Sequence, residues 1–138
     1  MDDRERRAQG FGVRREVLGA DYVDAAVART SAVTGDFQDY ITRTAWGEIW
    51  SRPGLDRRTR SLLTISILTA LSHEHELALH IRAAVENNGV SPEQVAEVIL
   101  HASVYAGVPA ANRTMVVAQR ELAELGHAAA QSGSGKPA

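Results

Sequence analysis

The sequence predicts an all-α fold, a compact helical domain of six to seven helices, and three observations carry that prediction. Apolar residues recur at intervals of three and four, and no stretch alternates as a strand would. Gly19, Gly35, Pro53-Gly54, Gly89, Gly107 and Gly126 fall between these stretches, where helices end. Helix-start signals stand where the pattern needs them. Ser91-Pro92-Glu93-Gln94 offers a capping Ser, Pro at the first helical position and Gln at the third; Asp56 can cap the segment after the Pro53-Gly54 turn. Helices are therefore expected at 4–18, 21–34, 36–51, 56–72, 75–88, 91–106 and 109–125. Residues 1–127 are expected to form one domain. Residues 128–138, ending Gln-Ser-Gly-Ser-Gly-Lys-Pro-Ala, read as a disordered tail.

The first helix is the weakest by composition, because Gly10 and Gly12 lie inside it. In the helix at 36–51, Phe37, Ile41, Thr44 and Ala45 fall on the same side as Glu48. A carboxyl on so apolar a stripe is expected to be buried, and burial raises a carboxyl pKa until it can carry a proton near neutrality. The alternative is a structural acid paired with an arginine downstream. Trp46 and Trp50 share another face, suited to packing between helices. The helix at 56–72 carries Leu62, Leu63, Ile65, Ile67, Leu68 and Leu71 around its whole circumference, so a second copy of the chain is expected to cover part of it.

That helix opens with Asp56-Arg57-Arg58-Thr59-Arg60. Cations at a helix N-terminus oppose its dipole, so three arginines there make sense if an anion binds; solvated surface charge is the alternative. In the helix at 75–88, Leu77, Ile81, Ala84 and Val85 form the inward face. His80 stands at its margin, with Glu76 one turn earlier to orient the ring. His101 has a similar position, between Glu97 and Tyr105. His73, His75 and His80 do not share a helical face at ligand spacing, so no metal site is expected.

Composition removes other function classes. With 17 acidic and 15 basic residues the net charge is −2, which gives no nucleic-acid footprint and no membrane-surface patch. The start Asp2-Asp3-Arg4-Glu5-Arg6-Arg7 is not a secretory signal, and the apolar run Leu62–Leu71 is too short to span a bilayer; a cytoplasmic protein is expected. The chain has no cysteine, which excludes disulfides, thiol nucleophiles and thiolate metal sites. No phosphate loop, nucleophile elbow or dinucleotide fingerprint is present.

The stretch from Trp46-Gly47-Glu48-Ile49-Trp50 through Pro53-Gly54-Leu55-Asp56-Arg57-Arg58-Thr59-Arg60 to Leu63 resembles the signature of the carboxymuconolactone decarboxylase family. Leu79-His80-Ile81-Arg82-Ala83-Ala84, Asn87-Asn88-Gly89-Val90 and Tyr105-Ala106-Gly107-Val108-Pro109-Ala110-Ala111-Asn112 resemble it too, in the same order. Other family members carry a CxxC ahead of the histidine matched by His80, and a Glu where this chain has Ser61. Here that place reads His73-Glu74-His75-Glu76, so the resemblance points to the decarboxylase branch.

The resemblance implies a helical homo-oligomer, a trimer or hexamer, with no metal or organic cofactor. It implies decarboxylation of γ-carboxymuconolactone, a dicarboxylate lactone, to β-ketoadipate enol-lactone and CO2 in protocatechuate breakdown by the β-ketoadipate route. Under that reading Arg58, helped by Arg57 or Arg60, anchors a carboxylate. His80 hydrogen-bonds the developing oxyanion and Glu48 delivers a proton, although these last two roles could be exchanged. Trp46, His101 and Tyr105 would contact substrate. The competing readings are a relative acting on another lactone or β-keto acid, and a non-catalytic helical oligomer that binds an anionic metabolite.

Overall fold

A computed structural model describes residues 1–132, with side chains described through Gly126. The elements are α1 (Asp3–Leu18), α2 (Ala20–Ala28), α3 (Gly35–Ile41), a π-helical segment (Thr42–Ile49), α4 (Arg57–Leu71), α5 (Glu74–Asn87), α6 (Pro92–Ala106) and α7 (Val108–Ser132). No strand occurs among the described residues, as the periodicity predicts. Contacts group the chain into two compact units, residues 1–60 and 61–138.

In the first unit, α1 starts in a capping box: Oδ1 of Asp2 accepts from the Glu5 amide at 2.8 Å, and Oε2 of Glu5 accepts from the Asp2 amide at 2.9 Å. The glycine that costs this helix propensity is what lets it pack. A Cβ on Gly10 would stand 2.0 Å from the Thr42 carbonyl oxygen, and one on Gly47 would stand 2.4 Å from the Arg6 carbonyl oxygen. Bare backbone therefore faces bare backbone where α1 meets the π-helical segment. Val13, Val17, Leu18, Val23 and Trp46 are buried in this unit.

Three expected boundaries are corrected here. The helix expected at 21–34 stops at Ala28, because hydroxyls take over the backbone groups: Thr30 donates to the Ala26 carbonyl at 3.4 Å, and Oγ1 of Thr34 accepts from the Ser31 amide at 3.0 Å. The helix expected at 36–51 is α-helical only to Ile41 and then widens. The Trp50 amide reaches back five residues to the Ala45 carbonyl at 2.9 Å. The third correction lies in the second unit. The helix expected to end at 125 passes through Gly126 to Ser132, so the segment at 128–132 is helix rather than disordered tail; the Ala-rich run there favours it. Residues 133–138 lie outside the described residues.

In the second unit, Ile65, Leu77, Ile81, Ala84, Val90, Val95, Ile99, Ala111, Val117 and Ala118 form one core. The capping box at Ser91 and Gln94 forms as expected, with bonds of 3.1 and 3.0 Å. Gly89 and Gly107 adopt φ of +72° and +98°, which glycine permits at helix ends. On α4, the buried line is Ser61, Ile65 and Thr69, while Leu63, Ile67 and Leu71 remain 46%, 56% and 59% exposed. No helix among the described residues is long and apolar enough to cross a membrane.

Candidate active site

The first unit supplies cations. Asp56 caps α4, its Oδ1 accepting from the Thr59 amide at 2.7 Å, and that bond holds the Asp56 carboxyl below the usual carboxylate range. The cap fixes the first turn and with it the three arginines, which the structure then separates by environment. Arg57 is tied to Glu16. Arg60 donates to the Arg52 carbonyl at 3.3 Å. Arg58 is exposed, and among the described residues it makes no ion pair or hydrogen bond; its charge is felt by Asp56. An unspent guanidinium at the N-terminus of a 15-residue helix favours an anion by charge, and the helix dipole adds to that pull.

Glu48 lies in the same unit, on the π-helical segment, and is exposed. This corrects the expected burial, and the cause is the widened helix. The arithmetic that placed Glu48 beside Phe37, Ile41, Thr44 and Ala45 assumes α-helical turns, whereas five-residue bonding rotates residues 42–49 off that line. Phe37 is itself 62% exposed. Trp46 is buried, with its ring 5.2 Å from that of Trp50, so it serves the interior of this unit and offers little surface to a ligand.

The second unit supplies neutral and aromatic groups. His80 sits half-buried on α5, beside buried Leu77, Ile81 and Ala84. Burial lowers its pKa to about 4, against an opposing pull from Glu76, so the imidazole is neutral at neutral pH. A neutral ring donates one N–H without bringing a charge. His101 and Tyr105 are exposed on α6, their rings 5.3 Å apart and tilted by 39°. They line a cavity of about 530 Å³ together with Ser66, Ile67 and Ala70 of α4. The structure thus brings His101 and Tyr105 together. Glu48 and Arg58 fall in one unit and His80 in the other.

No group of three or more His, Asp or Glu side chains among the described residues could hold a metal ion. His73 is the N-cap residue of α5, ahead of its first turn, and His75 is exposed. One residue missed by the sequence reading is Arg14, which is buried in the first unit. The signal was available, since Arg14 sits three and four residues before Val17 and Leu18 on the inward face of α1.

Comparison with known proteins places the chain in a family. The pattern of the carboxymuconolactone decarboxylase family matches residues 35–120. A 4-carboxymuconolactone decarboxylase of Acinetobacter baylyi is 49% identical over 126 residues, covering 91% of this chain and 93% of that protein. A nitrosuccinic acid decarboxylase of Metarhizium robertsii is 42% identical over 117 residues, covering 85% of this chain and 81% of its own length. A 4-carboxymuconolactone decarboxylase sequence from Pseudomonas putida is 42% identical over 48 residues, which span 35% of this chain and all of that sequence. The chain belongs to the carboxymuconolactone decarboxylase family.

Proposed function

We propose that this protein is a carboxy-lyase that removes CO2 from γ-carboxymuconolactone and yields β-ketoadipate enol-lactone. The observation that carries the reading is the 49% identity, over nearly the whole chain, with a relative bearing that activity's name. The chemistry asks for what the two units contain. The bond between the γ-carbon and its carboxylate breaks, and the electron pair moves through the ring alkene to the lactone carbonyl oxygen. A proton then adds to the α-carbon of the resulting dienolate. The ring is its own electron sink, so the protein must anchor, desolvate, stabilise an oxyanion and supply a proton.

Arg58, with no acid among the described residues spending its charge, anchors the acetate carboxylate; Arg57, bound to Glu16, and Arg60 are auxiliary. His80 donates to the dienolate oxygen, a role suited to an imidazole kept neutral by burial. Glu48 delivers the proton. His101 and Tyr105 contact substrate less directly, while Trp46 packs the first unit from within. The assembly is a homo-oligomer, a trimer or hexamer. Leu63, Ile67 and Leu71 on α4, and Leu100 and Val104 on α6, support this as exposed apolar side chains spaced by one turn. Contact with a second copy is also what would cover exposed side chains such as Glu48. The reaction is placed in the cytoplasm, since a dianionic substrate does not cross a bilayer unaided.

The nitrosuccinic acid relative favours a broader second reading, in which the substrate is any dicarboxylate whose departing carboxylate lies next to an oxygen-terminated electron acceptor. A nitro group accepts the electron pair as the lactone carbonyl does. Purified protein with chelator present, mixed with the lactone, tests the first reading. Decay of the lactone absorbance with release of one CO2 per lactone supports it. An unchanged spectrum alongside turnover of nitrosuccinate would transfer the assignment to the second reading.

A further inference from the structure

Six arginines of the first unit illustrate an inversion. Arg6, Arg7, Arg15, Arg43 and Arg57, all with substantial exposure, each pair with an acid. Arg14, of which only 5% is exposed, appears in none of these pairs. A charge costs most when buried and unpaired, so an arrangement selected for stability alone would do the reverse. Arg14 donates from Nη1 to Oε1 of Gln38 at 3.1 Å, and its Nε is buried without an acceptor. A guanidinium does not escape by losing its proton; burial lowers the Arg14 pKa, opposed only by Tyr22.

With Nη1 engaged, the edge left over is Nε beside Nη2. Two parallel N–H groups on one edge are the fork that a carboxylate accepts bidentately. Gln38, on α3, holds the other end of the guanidinium and so fixes the plane of that fork. We propose that Arg14 is a carboxylate-binding site for a small dicarboxylate, taking one carboxylate on its Nε–Nη2 edge while Gln38 orients it. The proposal rests on the decarboxylase reading only in that a dicarboxylate substrate would supply such a ligand.

Calorimetric titration of succinate into the full-length protein tests this, with wild type, Arg14→Met and Arg14→Lys compared. Wild type binds succinate. Arg14→Met weakens binding about ten- to a hundredfold, the scale of charge-assisted hydrogen bonds. Arg14→Lys also weakens it, because a point charge does not replace the fork. Without ligand, Arg14→Met melts at or above the wild-type temperature, since an uncompensated buried charge has been exchanged for an apolar chain. Equal succinate affinity in all three proteins would overturn the proposal, as would wild type that binds no succinate. An Arg14→Met protein that melts lower and dissociates in sedimentation would also overturn it, assigning Arg14 to a carboxylate of a second copy. If Arg14→Met does not fold, Arg14→Lys carries the comparison. Binding is read at equilibrium, so it should persist in a Glu48→Gln protein that no longer turns over. The failure of either idea is thereby visible without the other.

Discussion

The two units are built on different physics. The second unit closes around an aliphatic core in which Ile65, Leu77, Ile81, Val95 and Ile99 lose nearly all their surface. Residues 1–60 bury fewer large apolar chains and rely on direct backbone approach at Gly10 and Gly47, on a π-helical segment, and on ion pairs such as Arg7 and Arg43 with Asp39. The contrast extends to chemistry. The first unit exposes an unspent cation, Arg58, and buries another, Arg14; the second unit holds an imidazole that burial keeps neutral. The proposed reaction on a dianion calls for a cation and a neutral donor, and each unit offers one of them.

The largest expected effect would break the chemical side of this contrast. His80→Ala and Glu48→Gln should fold yet lose about 10²–10³ in turnover. Steady-state kinetics with the lactone check this, and wild-type turnover in either variant removes that residue from its role. The next effect concerns the packing of the first unit. Gly10→Ala puts a methyl 2.0 Å from the Thr42 carbonyl oxygen and should cost about 1–3 kcal/mol. Gly12→Ala, whose Cβ meets nothing within 4 Å, should instead stabilise α1 by about 0.5–1 kcal/mol. Equal denaturation midpoints for the two variants would contradict the crossing.

A smaller effect sharpens the account of the second unit. His80 has a pKa of about 4 in the fold and 6.5 ordinarily, so between those values the unfolded chain binds the proton that the fold refuses. Its contribution to stability is therefore complete above about pH 6.5 and is lost as pH falls towards about 4. His80→Gln should flatten that limb in thermal melts; an unchanged slope would mean that the ring is not shielded. Smallest is Ser91→Ala, which removes the cap of α6 at a cost of about 1 kcal/mol.

What the sequence shows of this molecule follows from what local rules encode. Caps at Asp56 and Ser91, glycine ends at Gly89 and Gly107, and the inward face of α5 were legible because each depends on a few neighbouring residues. Glu48 was misplaced because a π-helical segment changes the turn that converts spacing into faces, and no residue between Thr42 and Ile49 announces it. Gly10 read as weakness because its partner, Thr42, lies far along the chain. The arginine run was visible as a cluster, but its division into Arg57 bound to Glu16 and Arg58 unspent depends on a side chain from α1. Arg14 shows a further limit: its position on the inward face was readable, whereas its want of an acid was not.

The division of labour between a free and a committed guanidinium is the most direct test of the central claim. Michaelis constants for the lactone should be compared between wild type, Arg58→Ala and Arg57→Ala. Arg58→Ala should raise KM by about ten- to a hundredfold, while Arg57→Ala raises it far less, because that charge is already held by Glu16. An Arg58→Ala enzyme with wild-type KM would contradict the account.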